Sequence, residues 1–566
     1  MKLVLPLFAV GVGAVLAFAP SNPITAGAAQ PAPAGMRAGS TPNVLVILID
    51  DVGVEQLECY DPSHGVVGLD PGTNQYTGAY DYAPTPNITA IATEGVRFRH
   101  AFSAQICSPA RGQFHTGRYP FRNQIGTTVT TDGHTKTLPY QRQYLDLPDG
   151  EITIPEMLAE LAPEYRSAYF GKWHLSREPR APFGVPPTVL NVDGDHHPVR
   201  SGWPYYRGII RNPDTAPFPS PPGSRAGGYT NYFYVTGVEM PDPSLPESIV
   251  SRVPKTEYIT TLQRQDVEDW ILDGDEPFCA VWSPTACHGP YEWPPSALHG
   301  YGASEPDECD LWLRFRAILE SLDTEIGNLR AALDVGPSPT IWENTVVIVM
   351  GDNGTDKWVI DSAVEQGAAV APYAPGGCPP VGSDPCPVKI CDFTESLRFK
   401  GTPYVGGTNV PLIASGPVIS GTAGSVADGL VDIVDIYDTI RDIAGIDTGS
   451  SEYTTLFSGV TVDGTSMVPI LDGSVSSIRS ESLSLFYRPN GPWGARDSYK
   501  AAFTKDISGE RWRLIRIDDG TTVTEELYQL TDTLGDVDPL ETTDVIGSAP
   551  GSVVTTMTTA LDALLP

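Results

Sequence analysis

The chain has 566 residues, with 36 Lys and Arg against 69 Asp and Glu, a net charge of −33. That acidic excess speaks against nucleic-acid partners, and 41% hydrophobic with 19% charged residues excludes a disordered chain. The length is too great for one small core and predicts a large domain with at least one smaller unit.

Residues 1–29 read as a secretory signal peptide. Lys2 is the charged start, residues 3–18 are the apolar run, and Ala26-Gly27-Ala28 is a small-residue cleavage site. A membrane anchor is the competing reading, but the run is short for a span and a Pro/Ala/Gly-rich stretch follows it. No later segment is long and apolar enough to cross a bilayer, so the expected protein is exported, periplasmic or secreted.

Four apolar runs read as strands buried on both faces of a parallel sheet. Residues 44–49 end in Asp50-Asp51. Residues 167–170 lead into Gly171-Lys172-Trp173-His174. Residues 278–282 lead towards His288, and residues 346–350 end in Gly351-Asp352-Asn353-Gly354. Between them lie predicted helices at 86–94, opened by Pro86, at 153–162, with Thr153 as N-cap, and at 311–333. Another, at 433–444, is closed by Gly445. Residues 176–255 and 356–394 read as long loops with little periodicity, either walling a pocket or decorating the surface. From about residue 476 short alternating segments predict a small antiparallel sheet. The expected organisation is 1–29 signal peptide, 40–475 catalytic domain and 476–566 C-terminal subdomain. Strand and helix alternate, so the fold class is α/β.

Polar groups at strand ends converge on the edge where open α/β sheets bind ligands. Asp50, Asp51, Asp352 and Asn353 are hard oxygen ligands, suited to Ca²⁺ or Mg²⁺ rather than zinc. Ser108 reads as an N-cap with Pro109 in the first helical turn, which puts Cys107 at a helix N-terminus that favours an anion. Arg111 lies one turn in, holding neighbouring carboxylates or forming a surface ion pair. Lys172 and His174 alternate, so an extended segment turns both to one side and Trp173 to the other. His288 and Lys400 add a further imidazole and cation; each alone is ordinary.

Eight cysteines are present. Were Cys107 consumed by modification, the seven left (Cys59, Cys279, Cys287, Cys309, Cys378, Cys386 and Cys391) would leave at least one unpaired or paired between chains. Export permits disulfides, and two of Cys378, Cys386 and Cys391 could staple a loop. Cys279 and Cys287 read equally well as buried free thiols.

Residues 107–117, Cys-Ser-Pro-Ala-Arg-Gly-Gln-Phe-His-Thr-Gly, fit the pattern Cys-x-Pro-x-Arg-x4-Thr-Gly. Here, and in family order at 43–51, Thr85-Pro86-Asn87-Ile88, Gly171-Lys172-Trp173-His174, Asp323-x-x-Ile326-Gly327, Gly351-Asp352-Asn353-Gly354, Lys400-Gly401 and Asp463-Gly464-Thr465-Ser466, the chain resembles the type I, formylglycine-dependent sulfatases. The resemblance implies an alkaline-phosphatase-like α/β fold: a mostly parallel sheet flanked by helices, plus the small C-terminal antiparallel sheet. It implies an arylsulfatase-like sulfuric ester hydrolase in which a maturation enzyme oxidises Cys107 to Cα-formylglycine. The aldehyde hydrate then attacks sulfur and passes through a covalent sulfo-enzyme. The resemblance makes Asp50, Asp51, Asp352, Asn353 and residue 107 the Ca²⁺ ligands, with Asp352 as a proton acceptor. It makes Arg111 and Lys172 supports of residue 107, and Lys172, His288 and Lys400 sulfate contacts. His288 or Lys400 protonates the leaving alcohol, and His174 deprotonates the second hydroxyl.

The chain departs from the family pattern after Lys400. Where many sulfatases have Tyr-Glu-Gly-Gly-x-Arg-Val-Pro, residues 404–411 are Tyr-Val-Gly-Gly-Thr-Asn-Val-Pro, so an acidic and a basic residue are absent at Val405 and Asn409. The difference either removes a structural ion pair or changes the region near Lys400. Gly354-Thr355-Asp356 also lacks the His or Ser often found there, which bears on substrate choice. The substrate stays open among aryl, sugar and alkyl sulfates. Trp203, Tyr205, Tyr206, Tyr232 and Phe233 either stack on a substrate ring or pack their own loop. Two other functions stay open: a phosphonate or phosphate ester hydrolase on the same frame, and a non-catalytic binder if Cys107 is never oxidised. A sulfate ester is an anion, so any such site must be a basic pocket within an acidic surface.

Overall fold

The computed structural model describes residues 41–60, 82–129, 146–176, 193–213, 228–239, 248–307, 310–360, 399–532, 535–538, 541 and 543–566. The expected signal peptide, Cys309, Cys378, Cys386 and Cys391 lie outside them, as does most of the loop expected at 356–394.

Strand β1 (Asn43–Ile49) is buried at every residue because both its faces are covered. Leu45, Ile47 and Ile49 enter one hydrophobic core; Val44, Val46 and Leu48 enter the other. The period-2 pleat thus feeds two cores from one strand. The remaining strands of its sheet are β2 (Val96–Phe102), β3 (Arg166–Lys172), β4 (Tyr205–Ile209), β5 (Tyr232–Glu239), β6 (Ser248–Lys255), β7 (Phe278–Ser283), β8 (Thr345–Gly351), β9 (Leu412–Ser415) and β10 (Ser425–Asp432). Their order is β10-β2-β9-β8-β1-β7-β3-β4-β5-β6. In this sheet only β5 and β9 run against the rest. Parallel pairing of β1 with β7 and β8, and of β3 with β7, aligns four strand C-termini along one edge.

Helices cover both faces. Pro86–Glu94, Ile259–Leu272 and Leu311–Leu333 pack on one, while Cys107–Thr116, Ile154–Leu161 and Asp435–Ile443 pack on the other. Thr153 and Glu156 form the capping box that starts Ile154–Leu161. Asp323 caps a helix distant in sequence: its carboxylate accepts from the amides of Asn87 and Ile88 at 3.1 and 2.8 Å. This offsets two of the four unpaired N–H groups that any helix start leaves.

A second, antiparallel sheet contains β11 (Glu481–Arg488), β12 (Ser498–Ile507), β13 (Glu510–Asp518), β14 (Val523–Asp532) and the two-residue β15 (Gly535–Asp536). One face packs on helix Gly551–Leu564, through Met557 and Leu561. The other face, through Ala502, Ile515 and Tyr528, packs on Phe102, Val405 and Leu430.

Residues 176–255 are more regular than expected. Their described part forms helix Asp193–Arg200 and strands β4, β5 and β6 at the sheet edge. The Pro, Gly and aromatic residues of this stretch hid its strands. Trp203, Tyr206, Tyr232 and Phe233 are buried, which settles them as packing residues. Cys59, Cys107, Cys279 and Cys287 are buried free thiols. Among the described residues no helix is long and apolar enough to cross a membrane.

Candidate active site

Cys107 opens helix Cys107–Thr116, five residues beyond the end of β2. The N-cap is Ile106 rather than Ser108. Ser108 is needed elsewhere: its hydroxyl donates to the carbonyl of His174 at 2.8 Å and accepts from the amide of Val129 at 3.1 Å. The helix closes at Gly117, whose left-handed φ of 64° suits glycine.

The acidic strand ends meet this helix start. The thiol of Cys107 lies 3.4 Å from Asp50 Oδ1 and 3.8 Å from Asp51 Oδ1. Lys172 Nζ donates to Asp50 Oδ2 at 2.5 Å and approaches Cys107 Sγ at 3.5 Å. Single ligand atoms of Asp50, Asp51, Cys107 and Asp352 all fall within 4.8 Å of one another, as do those of Asp51, Cys107 and His288. Asn353 Nδ2 donates to Asp51 Oδ1 at 2.8 Å, whereas its Oδ1 is buried without a hydrogen-bond partner. Three buried carboxylates beside an orphaned amide oxygen fit a hard divalent cation.

Arg111 is buried, not on the surface. Its Nη2 meets Asp352 Oδ2 at 2.9 Å, and Nη1 donates to the Lys172 carbonyl at 2.5 Å and the Ser283 hydroxyl at 2.6 Å. Tyr169 Oη also donates to that carbonyl, at 2.7 Å. Ser283 and Tyr169 were missed in the sequence. Ser283 directly follows a predicted strand, so the logic of the sheet edge could have flagged it; Tyr169 carried no signal.

Lys172 and His174 do not lie in one extended segment. His174 has φ 57°, in the left-handed region, and its amide donates to the Ile210 carbonyl at 2.7 Å. Its ring is buried with both nitrogens unpartnered. Trp173 packs inward as expected, its indole donating to His197 Nδ1 at 3.2 Å. Gly171 is required because a Cβ there would sit 1.8 Å from the Ser283 carbonyl oxygen. Lys400 Nζ contacts Asp51 Oδ1 and Oδ2 at 2.6 and 2.7 Å, and His288 Nε2 lies 3.8 Å from Asp51 Oδ2. Every predicted site residue except His174 thus contacts another member of the cluster through its side chain.

Burial and charge set the protonation of these groups. Burial, then Asp50, pushes the Cys107 thiol well up, so the thiol itself is a poor nucleophile. Burial alone would raise Asp50, but Lys172, His288, Arg111 and Lys400 hold it well below the usual carboxylate range. Burial and the charge of Asp50 push Asp352 up to about 7. Burial, with Lys172 and Lys400, lowers His288 to about 4, and burial with Lys172 holds His174 well down. Burial opposes the charge of Lys400, yet Asp51 outweighs it and Lys400 is raised. The result is a buried cluster in which Arg111, Lys172 and Lys400 face Asp352, Asp50 and Asp51.

Acidic, basic and thiol groups converging at the C-terminal edge of a mostly parallel sheet define an enzyme of the α/β class. Residues 42–446 match the family described as Sulfatase. The chain belongs to the sulfatase family and is, as a class, a sulfuric ester hydrolase. It is 26% identical over 439 residues to human N-acetylgalactosamine-6-sulfatase, covering 77% of this chain and 66% of that one. It is 26% identical over 470 residues to human arylsulfatase A, covering 81% and 73%. The fold is also that of the solved PsFucS1 sulfatase from Pseudoalteromonas sp., with a TM-score of 0.58, 19% identity and coverage of 93% and 90%.

Proposed function

We propose that this chain is an exported hydrolase of carbohydrate or small aryl sulfate esters, acting through residue 107 after its oxidation to formylglycine by a maturation enzyme. The observation that carries this reading is the position of Cys107: at a helix start, within 3.8 Å of Asp50, Asp51 and Lys172. Its Sγ stands where a hydroxyl of the aldehyde hydrate would lie. Formylglycine would supply one hydroxyl to take the sulfo group and a second whose deprotonation releases sulfate. Asp50, Asp51, Asp352, Asn353 and residue 107 would hold Ca²⁺, or Mg²⁺ in its place; when bound, such an ion polarises a sulfate oxygen.

The other groups have roles that follow from their charge. Lys172 and Lys400 bind the anionic oxygens, and the helix start adds its amides. Asp352, within 4.8 Å of Cys107 and held by Arg111, is placed to accept the proton of the attacking hydroxyl. His288 or Lys400 protonates the leaving alcohol; both side chains face Asp51 beside residue 107. His174, neutral by burial, is competent to deprotonate the second hydroxyl. Arg111 anchors Asp352 and the Lys172 backbone. We assign residues 40–475 to the catalytic unit and 476–566 to a supporting subdomain. Sugar sulfates head the substrate classes because a curated relative is named for one.

The test is kcat/KM for a nitrophenyl sulfate beside the matching phosphonate monoester, on protein whose Cys107 conversion is verified by mass. Preference for the sulfate, lost in Cys107→Ala while the fold persists, is the expected result. Preference for the phosphonate would move the chain to phosphorus chemistry, and near-normal activity in Cys107→Ala would remove formylglycine.

A further inference from the structure

The turn after Lys400 lacks the local ion pair expected at 405 and 409, yet it is held by a buried ion pair from the second sheet. Arg513 lies on β13, and its Nε meets Glu541 Oε1 at 2.8 Å, with neither side chain exposed. Arg513 Nη2 donates to the Pro403 carbonyl at 2.9 Å and to the Thr408 hydroxyl at 2.6 Å. Glu541 Oε2 accepts from the amide of Val405 at 2.7 Å. The pair therefore grips both ends of the helical turn Val405–Thr408. Glu541 adopts φ 53°, a left-handed conformation costly for a non-glycine residue, and there its carboxylate reaches the turn.

That turn is wired to the site. The amide of Gly354, next to Asn353, donates to the Gly407 carbonyl at 3.1 Å, and the amide of Lys400 donates to the Thr355 carbonyl at 2.9 Å. Lys400 then reaches Asp51 through its ammonium. Arg513 and Glu541 lie beyond residue 446, where the family match ends. The turn is thus held by charges borrowed from a neighbouring sheet.

We propose that Arg513 and Glu541 are positioning residues for Lys400: the second sheet sets where the Lys400 ammonium sits relative to Asp51 and residue 107. The inference rests on the sulfatase reading for what Lys400 does, but not for where it sits. Removing the Arg513 fork or the Glu541 charge frees the 400–408 segment, and the loss is felt in catalysis through Lys400.

A double-mutant cycle tests it on the full-length, matured protein. Arg513→Lys and Glu541→Gln are each expected to lower kcat/KM for nitrophenyl sulfate roughly tenfold, the scale of a small misplacement of a reacting group. Added to Lys400→Met, each is expected to cost less than about twofold more, because the route of its effect is already gone. Equal losses in both backgrounds would overturn the inference, since a merely structural role acts in both. Competitive acylation, read by mass spectrometry, provides a second measure: Lys400 labelling relative to Lys505 should change several-fold in both variants. An unchanged ratio overturns the inference whether or not the wild type turns over sulfate esters. Absence of turnover in the wild type sinks the functional reading alone. If Arg513→Lys fails to fold, Glu541→Gln, which keeps an acceptor for the Val405 amide, carries both measurements.

Discussion

Arg111 and Asp352 form a buried ion pair, Nη2 to Oδ2 at 2.9 Å, joining the helix that begins at Cys107 to the end of β8. The same guanidinium bonds the Lys172 carbonyl and the Ser283 hydroxyl, so one side chain ties the helix to three strand ends. A preorganised site needs such ties, because its carboxylates repel one another.

Arg111→Met is expected to lower stability by about 3–5 kcal/mol, since it leaves Asp352 buried without its partner. Arg111→Lys keeps a charge but loses the planar fork, and should fall between the variant and the wild type. Urea unfolding measures both. A midpoint in Arg111→Met equal to that of the wild type would mean that Asp352 simply takes up a proton there.

Removal of metal should destabilise the protein as well as silence it. A chelator is expected to lower the thermal midpoint, and added Ca²⁺ to restore it. At a free concentration a hundredfold above Kd the restored stability is about 2.7 kcal/mol. Asp352→Ala should shrink that gain. Identical melting curves with chelator and with Ca²⁺ would remove the ion from this account.

Asp323 gives a pH dependence away from the site. Burial raises its carboxyl from 3.8 to about 6, against the pull of the Ile88 and Asn87 amides. The folded chain therefore holds this proton where an unfolded chain releases it. Stability contributed by the group is present below 3.8, is lost as pH rises towards 6, and is flat above. The loss is at most about 3 kcal/mol, at 1.36 kcal/mol per unit. Asp323→Asn has no proton to lose, so its stability relative to wild type should improve between pH 4 and 7. Parallel stability curves for the two proteins over that range would refute the raised carboxyl.

Much of the scaffold was legible in the chain. Runs of four to six residues marked β1, β3, β7 and β8, and the acidic or basic residues after them marked the edge of the site. Helices 86–94 and 311–333 have the bounds predicted. These features depend on local spacing and on caps within a few residues, so the linear order contains them.

Other features arise only from packing. Ser108 looked like a cap, but the fold turns its hydroxyl to His174. His174 looked extended, but anchoring to Ile210 twists it into the left-handed region. Val405 and Asn409 looked like a lost ion pair, but Arg513 and Glu541 bring one from more than a hundred residues away. By itself the sequence determined the central strands β1, β3, β7 and β8, several flanking helices and the residue types at their ends, because hydrophobic periodicity is local. Only the tertiary structure decided which of those ends touch, because contacts between layers depend on the stacking of elements distant in the chain.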